Sequence, residues 1–391
     1  FYDNGLVFFY DIRACKRLDA VLKCAKAGGS MRCTRALIYK DNIEHNIKSV
    51  QALLEPDVKM CAAVKADGYG CGAVITARIA ESLGVEFLAV AAVSEGIELR
   101  ENGIRAKIIL LSVCAPDEIA DAARHDIIPL VFDAEMIDLF DAAARRCGKK
   151  LPLFLAVDTG MGRIGCYQDE AATLAAKIAA CKNVELCGMM THFSVSDCVS
   201  CDAAAYTRHQ FDLFMGAINA VRRRGVHPGI CSCSASAATL ADSSLHLDMV
   251  RPGIVLYGYY PDEVNRSYLA GIGKKLDLKP VMQFETQVVA IRHLKKGMTV
   301  SYGRTWTAQN ETDIAVLPAG YADGIARSYA PGLHVSINGA AYPICGRVCM
   351  DQCMVDIGAG NKNVRRWDRA IFFGAKERGA HFDAADIARL T

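Results

Sequence analysis

The sequence predicts a (β/α)₈ TIM barrel followed by a mostly antiparallel β domain. Two observations carry the barrel: eight short, continuously apolar runs, and helix-patterned stretches between them. A third carries the second domain. Past about residue 265, apolar and polar residues alternate between turn-forming Gly, Asn and Pro positions.

The first 30 residues lack both the basic start and the small-residue cleavage site of a signal peptide. Met31 stands where a natural start would, so 1–30 reads as an extension of unassigned role. An amphipathic stretch runs over 41–54, "DNIEHNIKSVQALL". The apolar runs follow at 59–66, 87–93, 106–113, 127–132, 151–159, 184–193, 229–236 and 247–258. Between them lie helical stretches such as "PDEIADAARH" (116–125), whose Pro-Asp-Glu start suits a first helical turn, and "AATLAAKIAACKN" (171–183). Strands apolar on both faces and separated by helices pair in parallel, and eight such units close into a barrel rather than an open sheet. The expected domains are 31–265 for the barrel and 266–391 for the β part. No low-complexity tract or long linker separates them, which predicts that they pack together.

Composition narrows the function classes. Formal charge is +2, from 45 basic and 43 acidic side chains spread evenly, which gives no electrostatic footprint for nucleic acid or an anionic membrane. Hydrophobic residues make up 52% of the 391, yet no apolar stretch approaches the roughly 20 residues that cross a bilayer. Small molecules are the expected partners. The 17 cysteines are scattered through apolar runs, as free thiols in a reducing cytoplasm are. Neither Cys198-x-x-Cys201 nor the series Cys345, Cys349, Cys353 has a second ligand pair nearby, so no metal site is expected.

Catalytic groups of such barrels gather at the carboxyl ends of the strands. Lys65 ends the first run, directly before the glycines of "ADGYGCG". Arg163 follows the fifth in "DTGMGRIG", His192 ends the sixth in "THFSVSD", Ser236 closes the seventh, and Arg251 lies on the eighth. Singly, each has an ordinary reading as a solvated charge, a core histidine or a turn. Together they mark one rim. Barrels often bind phosphate with the loops after strands seven and eight, here "SASAAT" (234–239) and "RPGI" (251–254), which offer a hydroxyl and backbone N–H donors. A phosphate opposite an amine implies pyridoxal 5′-phosphate, and a partly desolvated lysine suits its aldehyde.

At this point the motifs resemble those of the alanine racemase family, fold-type III pyridoxal-phosphate enzymes. "AAVKADGYGCG", "VDTGMGRIG", "MMTHFSVSD", "SASAAT", "MVRPGIVLYG", "VSYGRTW", "LPAGYADG" and "GRVCMDQCMVDIG" occur in the family's order from about Arg35 to the C-terminus. The resemblance implies L-alanine and D-alanine interconversion, supplying D-alanine for peptidoglycan, with Lys65 and Tyr302 as two catalytic bases. It implies phosphate contacts at Tyr69, Ser236, Gly253 and Ile254. Arg251 would face the pyridine nitrogen, with His192 hydrogen-bonded to it. Arg163 and the backbone N–H of Met350 would hold the substrate carboxylate, and Asp351 matches an acidic position at the substrate entrance. It further implies a head-to-tail homodimer in which Tyr302 serves the other subunit's site. A serine or broad-specificity racemase, a non-catalytic pyridoxal-phosphate protein and a decarboxylase are the alternatives.

Two departures stand out. Where the family commonly has a lysine that orients the arginine, this chain has Ala156. Family members also continue past a segment like "DAADIARLT" (383–391) into a strand bearing another tyrosine, so the β domain is expected to be truncated before its last strands.

Overall fold

The computed structural model describes residues 7–10 and 32–390. They form two compact units, one from the residues up to Asp41 together with those from Pro280 onward, the other from Asn42–Lys279. The expected extension 1–30 lies outside the described residues except for a strand at Val7–Tyr10.

The larger unit is the (β/α)₈ barrel. Its strands are Lys59–Ala63, Phe87–Val90, Lys107–Leu110, Ile127–Ile128 with Leu130–Val131, Leu151–Ala156, Val184–Met190, Ile230–Ser232 and Met249–Val250. All eight apolar runs supply a strand, and every pairing is parallel. The fourth strand breaks at Pro129, which has no N–H for a ladder, but its carbonyl accepts the Phe154 N–H at 3.0 Å and keeps the circle continuous. Closure elsewhere runs through a parallel bridge between Ala235 and Arg251, with the Arg251 N–H donating to Ser234 O at 2.8 Å. Met249 and Val250 then pair back onto Lys59 and Met60.

The runs are continuously apolar because both faces are covered. Cys61, Phe87, Ile109, Ile128, Phe154 and Met249 fill the interior, while the alternating Met60, Ala62, Leu88 and Ile108 are buried on the helix side. Ala63 and Ala156, the last residues of their strands, are small and line the barrel mouth, where they leave room for a cavity.

The helices follow their sequence signals. Lys40–Gln51 buries Ile43, Ile47 and Val50, and its fully buried Asn46 accepts the Lys279 N–H and donates to the carbonyls of Lys279 and Leu256. In 116–125 the helix starts only at Ile119, after a turn at 116–118 that the proline permits. Ala134–Cys147 is capped by the Asp133 carboxylate on the Met136 N–H and ends on Gly148, whose φ of 65° suits glycine. Cys201–Arg223 is capped by Ser200 and buries Ala203, Thr207, Gln210, Phe214, Ala217 and Val221, the spacing of one helical face.

The smaller unit is antiparallel throughout. Its main sheet runs in the order Val7–Tyr10, Arg35–Tyr39, Met282–Gln287, Arg369–Phe373, His334–Ile337, Ala340–Pro343. Arg35–Tyr39 thus belongs here although it precedes the barrel in the chain. Paired with Arg35 across the ladder, Glu285 is 1% exposed; its carboxylate is compensated by the Arg35 guanidinium at 2.8 Å and by the Gln283 amide at 2.7 Å. A second sheet joins Ala290–Leu294, Thr312–Leu317 and Cys353–Asp356, and a short hairpin pairs Thr299–Val300 with Trp306–Thr307. Among the described residues no helix is long and apolar enough to cross a membrane.

Candidate active site

Lys65 is half-buried just past the first barrel strand, and the chain after it turns left-handed. Ala66, Asp67, Gly68, Tyr69 and Gly70 have φ of 52°, 50°, 59°, 55° and 79°. Each non-glycine residue held this way costs about 1–2 kcal/mol, so the surroundings must impose the conformation. Three sets of hydrogen bonds do so. The Gly68 N–H donates to Val64 O at 2.8 Å and the Gly70 N–H to Ala66 O at 3.0 Å. The Asp67 carboxylate takes the Ala73 N–H at 2.8 Å. Glu95, on the helix Val93–Glu101 that follows the second strand, accepts the N–H groups of Ala66 at 2.6 Å and Ala91 at 2.7 Å, joining the first strand's turn to the second's.

A cavity of about 600 Å³ opens at this rim, and Lys65, Tyr69, Arg163, His192, Ser236, Arg251, Gly253 and Ile254 all line it. On one side the Gly253 N–H donates to Ser236 Oγ at 2.9 Å. A Cβ at Gly253 would stand 2.4 Å from the Tyr69 hydroxyl, so only glycine lets that phenol approach. The Tyr69 ring packs 4.7 Å from Tyr257, whose hydroxyl donates to Ala63 O at 2.9 Å. Burial pushes the Tyr69 phenol up, which keeps it a neutral donor.

Arg251 is 5% exposed and its guanidinium is held at both terminal nitrogens: one donates to Ser232 Oγ at 2.5 Å, the other to Thr191 O at 2.7 Å and toward His192 Nδ1 at 3.5 Å. Burial above all, then the charges of Arg251, Arg163 and Lys65, holds the His192 pKa down to about 3. The ring is therefore neutral, and because Nδ1 faces a donor, its hydrogen sits on Nε2. An unfolded chain protonates this histidine near 6.5 and the folded chain only near 3, so its contribution to stability is present above pH 6.5 and is lost as pH falls across that window. We expect His192→Gln to flatten the fall in stability between those limits, measured by urea melts across pH. Unchanged curves would show that the ring is not held neutral.

Arg163 is exposed, and what is fixed is its loop. The Asp158 carboxylate accepts the N–H groups of Gly160, Met161 and Gly162 at 2.9, 2.9 and 3.2 Å. Ala156, the position at which this chain departs from the family's lysine, is 4% exposed.

Tyr302, Met350 and Asp351 belong to the smaller unit. Tyr302 is 68% exposed at the tip of the Thr299–Thr307 hairpin, between Ser301 and Gly303, whose φ are 65° and 72°. The Ser301 hydroxyl donates to Arg347 O at 2.6 Å and lies 3.4 Å from Cys349 Sγ. The Ser301 bonds thus fasten the hairpin to 347–349, and the turn at Tyr321–Asp323 fastens the next residues: the Tyr321 N–H donates to Cys349 O and the Ala322 N–H to Met350 O, both at 3.0 Å, beside the exposed Asp351.

Sequence reading missed Glu95, Asp158, Ser232, Thr191 and Gln210. Two had a usable signal: an aspartate before Gly-x-Gly is a frequent turn acceptor, and a glutamine at the inward spacing of an amphipathic helix needs buried partners. Burial pushes the thiols of Cys61, Cys71, Cys166, Cys231, Cys233 and Cys345 up to about 12. Among the described residues no group of three His, Cys, Asp or Glu is placed to hold a metal.

Comparison with known proteins identifies the family. Residues 38–261 match the family model of the alanine racemase N-terminal domain and 281–391 that of the C-terminal domain. An alanine racemase of Treponema denticola is 44% identical over 362 residues, 92% of this chain and 93% of that protein. Among solved structures, the Clostridium difficile 630 alanine racemase in complex with cycloserine is 32% identical with a TM-score of 0.83, covering 93% of this chain and 91% of that one. The Bacillus anthracis alanine racemase with bound L-Ala-P is 30% identical with a TM-score of 0.84, covering 93% and 90%. With both units matched along nearly their whole length, the chain belongs to the alanine racemase family.

Proposed function

We propose that this chain interconverts L-alanine and D-alanine with pyridoxal 5′-phosphate held covalently on Lys65. The observation that carries the reading is the cavity itself, which sets one lysine against a hydroxyl and backbone N–H groups across a pocket of about 600 Å³. The residues fit the cofactor. The Ser236 hydroxyl, the Ile254 N–H and the neutral Tyr69 phenol offer donors for a phosphate, the Gly253 N–H, which here donates to Ser236 Oγ, would turn to it, and the glycine at 253 keeps that cradle open.

When bound, the cofactor withdraws electrons from the substrate Cα and makes its hydrogen acidic. Arg251 would face the pyridine nitrogen of the cofactor, to which a permanent donor would leave no room for a proton, and the neutral His192 adds no second charge beside the arginine. Arg163 and the Met350 N–H hold the substrate carboxylate, with Asp351 at the entrance. Lys65 and Tyr302 hold or release a proton on opposite faces of Cα, so that it leaves from one side and returns on the other. The exposure of Tyr302 suits a head-to-tail homodimer in which Tyr302 of the partner subunit completes each site. The names of the relatives, and the L-Ala-P bound to one of them, favour alanine as substrate. We take the product to feed peptidoglycan synthesis in the cytoplasm.

Chiral chromatography of the cofactor-loaded protein with L-Ala and L-Ser tests the assignment. Faster conversion of L-Ala is expected. Equal or faster conversion of L-Ser would replace it with a serine or broad-specificity racemase, and no Cα hydrogen exchange in D₂O with either would leave a non-catalytic cofactor-binding protein.

A further inference from the structure

The Arg163 loop has no side chain at position 156 to steady its arginine, yet its backbone is tied down from another direction. Gln210, on the long helix Cys201–Arg223, is 0% exposed at the barrel rim. Its Oε1 accepts the Ser194 N–H at 3.0 Å and the Ser194 hydroxyl at 3.1 Å. Its Nε2 reaches Thr159 Oγ1 and His192 O, both at 3.4 Å. All four hydrogen-bonding positions of the amide are thereby directed at two loops, the one before Arg163 and the one after His192. Thr159 and Thr191 close the gap between those loops with a hydroxyl pair at 2.8 Å, each residue 4% exposed.

One helical turn earlier on the same face, the Tyr206 hydroxyl donates to Gly160 O at 3.3 Å. The fit is close: a Cβ at Gly160, where φ is 126°, would stand 2.3 Å from that hydroxyl. The barrel's own strands already join these elements lower down, through Ala156 paired with Met190. The glutamine and tyrosine act only above the ladder, where the arginine and histidine emerge.

We infer that Tyr206 and Gln210 form a latch, a pair of positioning residues that hold the Arg163 loop against the strand end bearing His192 and so place the arginine for the substrate carboxylate without help from position 156. The inference rests on the reading of Arg163 as the carboxylate-binding group. A loop ordered before substrate arrives spares the ordering entropy at binding, so the latch acts on substrate affinity more than on the cofactor, which Lys65 holds on a separate turn.

The test uses Gln210→Leu and Tyr206→Phe in the full chain loaded with pyridoxal 5′-phosphate. KM for L-Ala should rise, by about tenfold for Gln210→Leu if one well-paired hydrogen bond's worth of order is lost, and by less for Tyr206→Phe. Cofactor affinity, read by absorbance titration, should stay at the wild-type value. Amide hydrogen exchange at Met161 and Gly162 should quicken in both variants. An unchanged KM with unchanged exchange overturns the latch, as does a loss of thermal stability and cofactor affinity with KM intact, the pattern of a purely structural role. Should Gln210→Leu fail to fold, Tyr206→Phe decides alone, since the residue is 41% exposed and the change removes only its hydroxyl, leaving the ring and the core in place. Were the wild type to racemise nothing, the proposed function would fall while faster exchange at 161–162 in the variants would still uphold the latch.

Discussion

Lys65→Ala should lose racemisation altogether while the protein stays folded. The fall should exceed about 10⁴-fold, the upper end for removal of a single general base, because the same side chain is also the cofactor's anchor. No second lysine lines the cavity among the described residues, so no neighbouring amine can take over. Stability should move by no more than about 0.5 kcal/mol, since the side chain is only half-buried and the left-handed turn is held by backbone groups, Asp67 and Glu95 rather than by the lysine. A chiral assay and a thermal melt check both parts. Retained turnover would remove Lys65 from the reaction, and a collapsed melt would make it a structural residue.

Tyr302→Phe should separate the two faces of the reaction. L-Ala and D-Ala have the same free energy in water, so net racemisation must slow equally in both directions, by about 10²–10⁴-fold for one base. Hydrogen exchange in D₂O need not. With the phenol gone, Lys65, which we assign to the face bearing the hydrogen of D-Ala with Tyr302 on that of L-Ala, can still remove and return the Cα hydrogen there, so D-Ala should keep exchanging without inversion while exchange into L-Ala stops. Phenylalanine keeps the ring, and a side chain 68% exposed contributes little to the fold, so the hairpin should survive. Equal loss of exchange from both enantiomers would contradict the two-base assignment.

Much of this was legible before the structure, and the exceptions have physical causes. The eight apolar runs became eight strands because a parallel strand covered on both faces must be apolar throughout, a pattern that depends on no distant partner. Arg35–Tyr39 gave no such clue to its place: it pairs with Met282–Glu285, some 250 positions along, and only the fold brings them together. The glycines after Lys65 signalled a turn, whereas the left-handed conformations of Ala66, Asp67 and Tyr69 are imposed by hydrogen bonds that no local preference foretells. Lys65, Arg163, His192, Ser236 and Arg251 could be placed at one rim because strand ends share a rim by construction. Glu95, Ser232 and Gln210 escaped notice because they act through other residues: each is a polar side chain whose partners are backbone groups or neighbours remote in sequence.

The covalent link between Lys65 and the cofactor is the claim on which the reaction depends, and borohydride reduction tests it directly. Purified protein incubated with pyridoxal 5′-phosphate, reduced and digested, should yield a single labelled peptide carrying the pyridoxyl group on Lys65, with loss of the yellow absorbance. Label on any other lysine, or none at all in protein that is demonstrably folded, would contradict it.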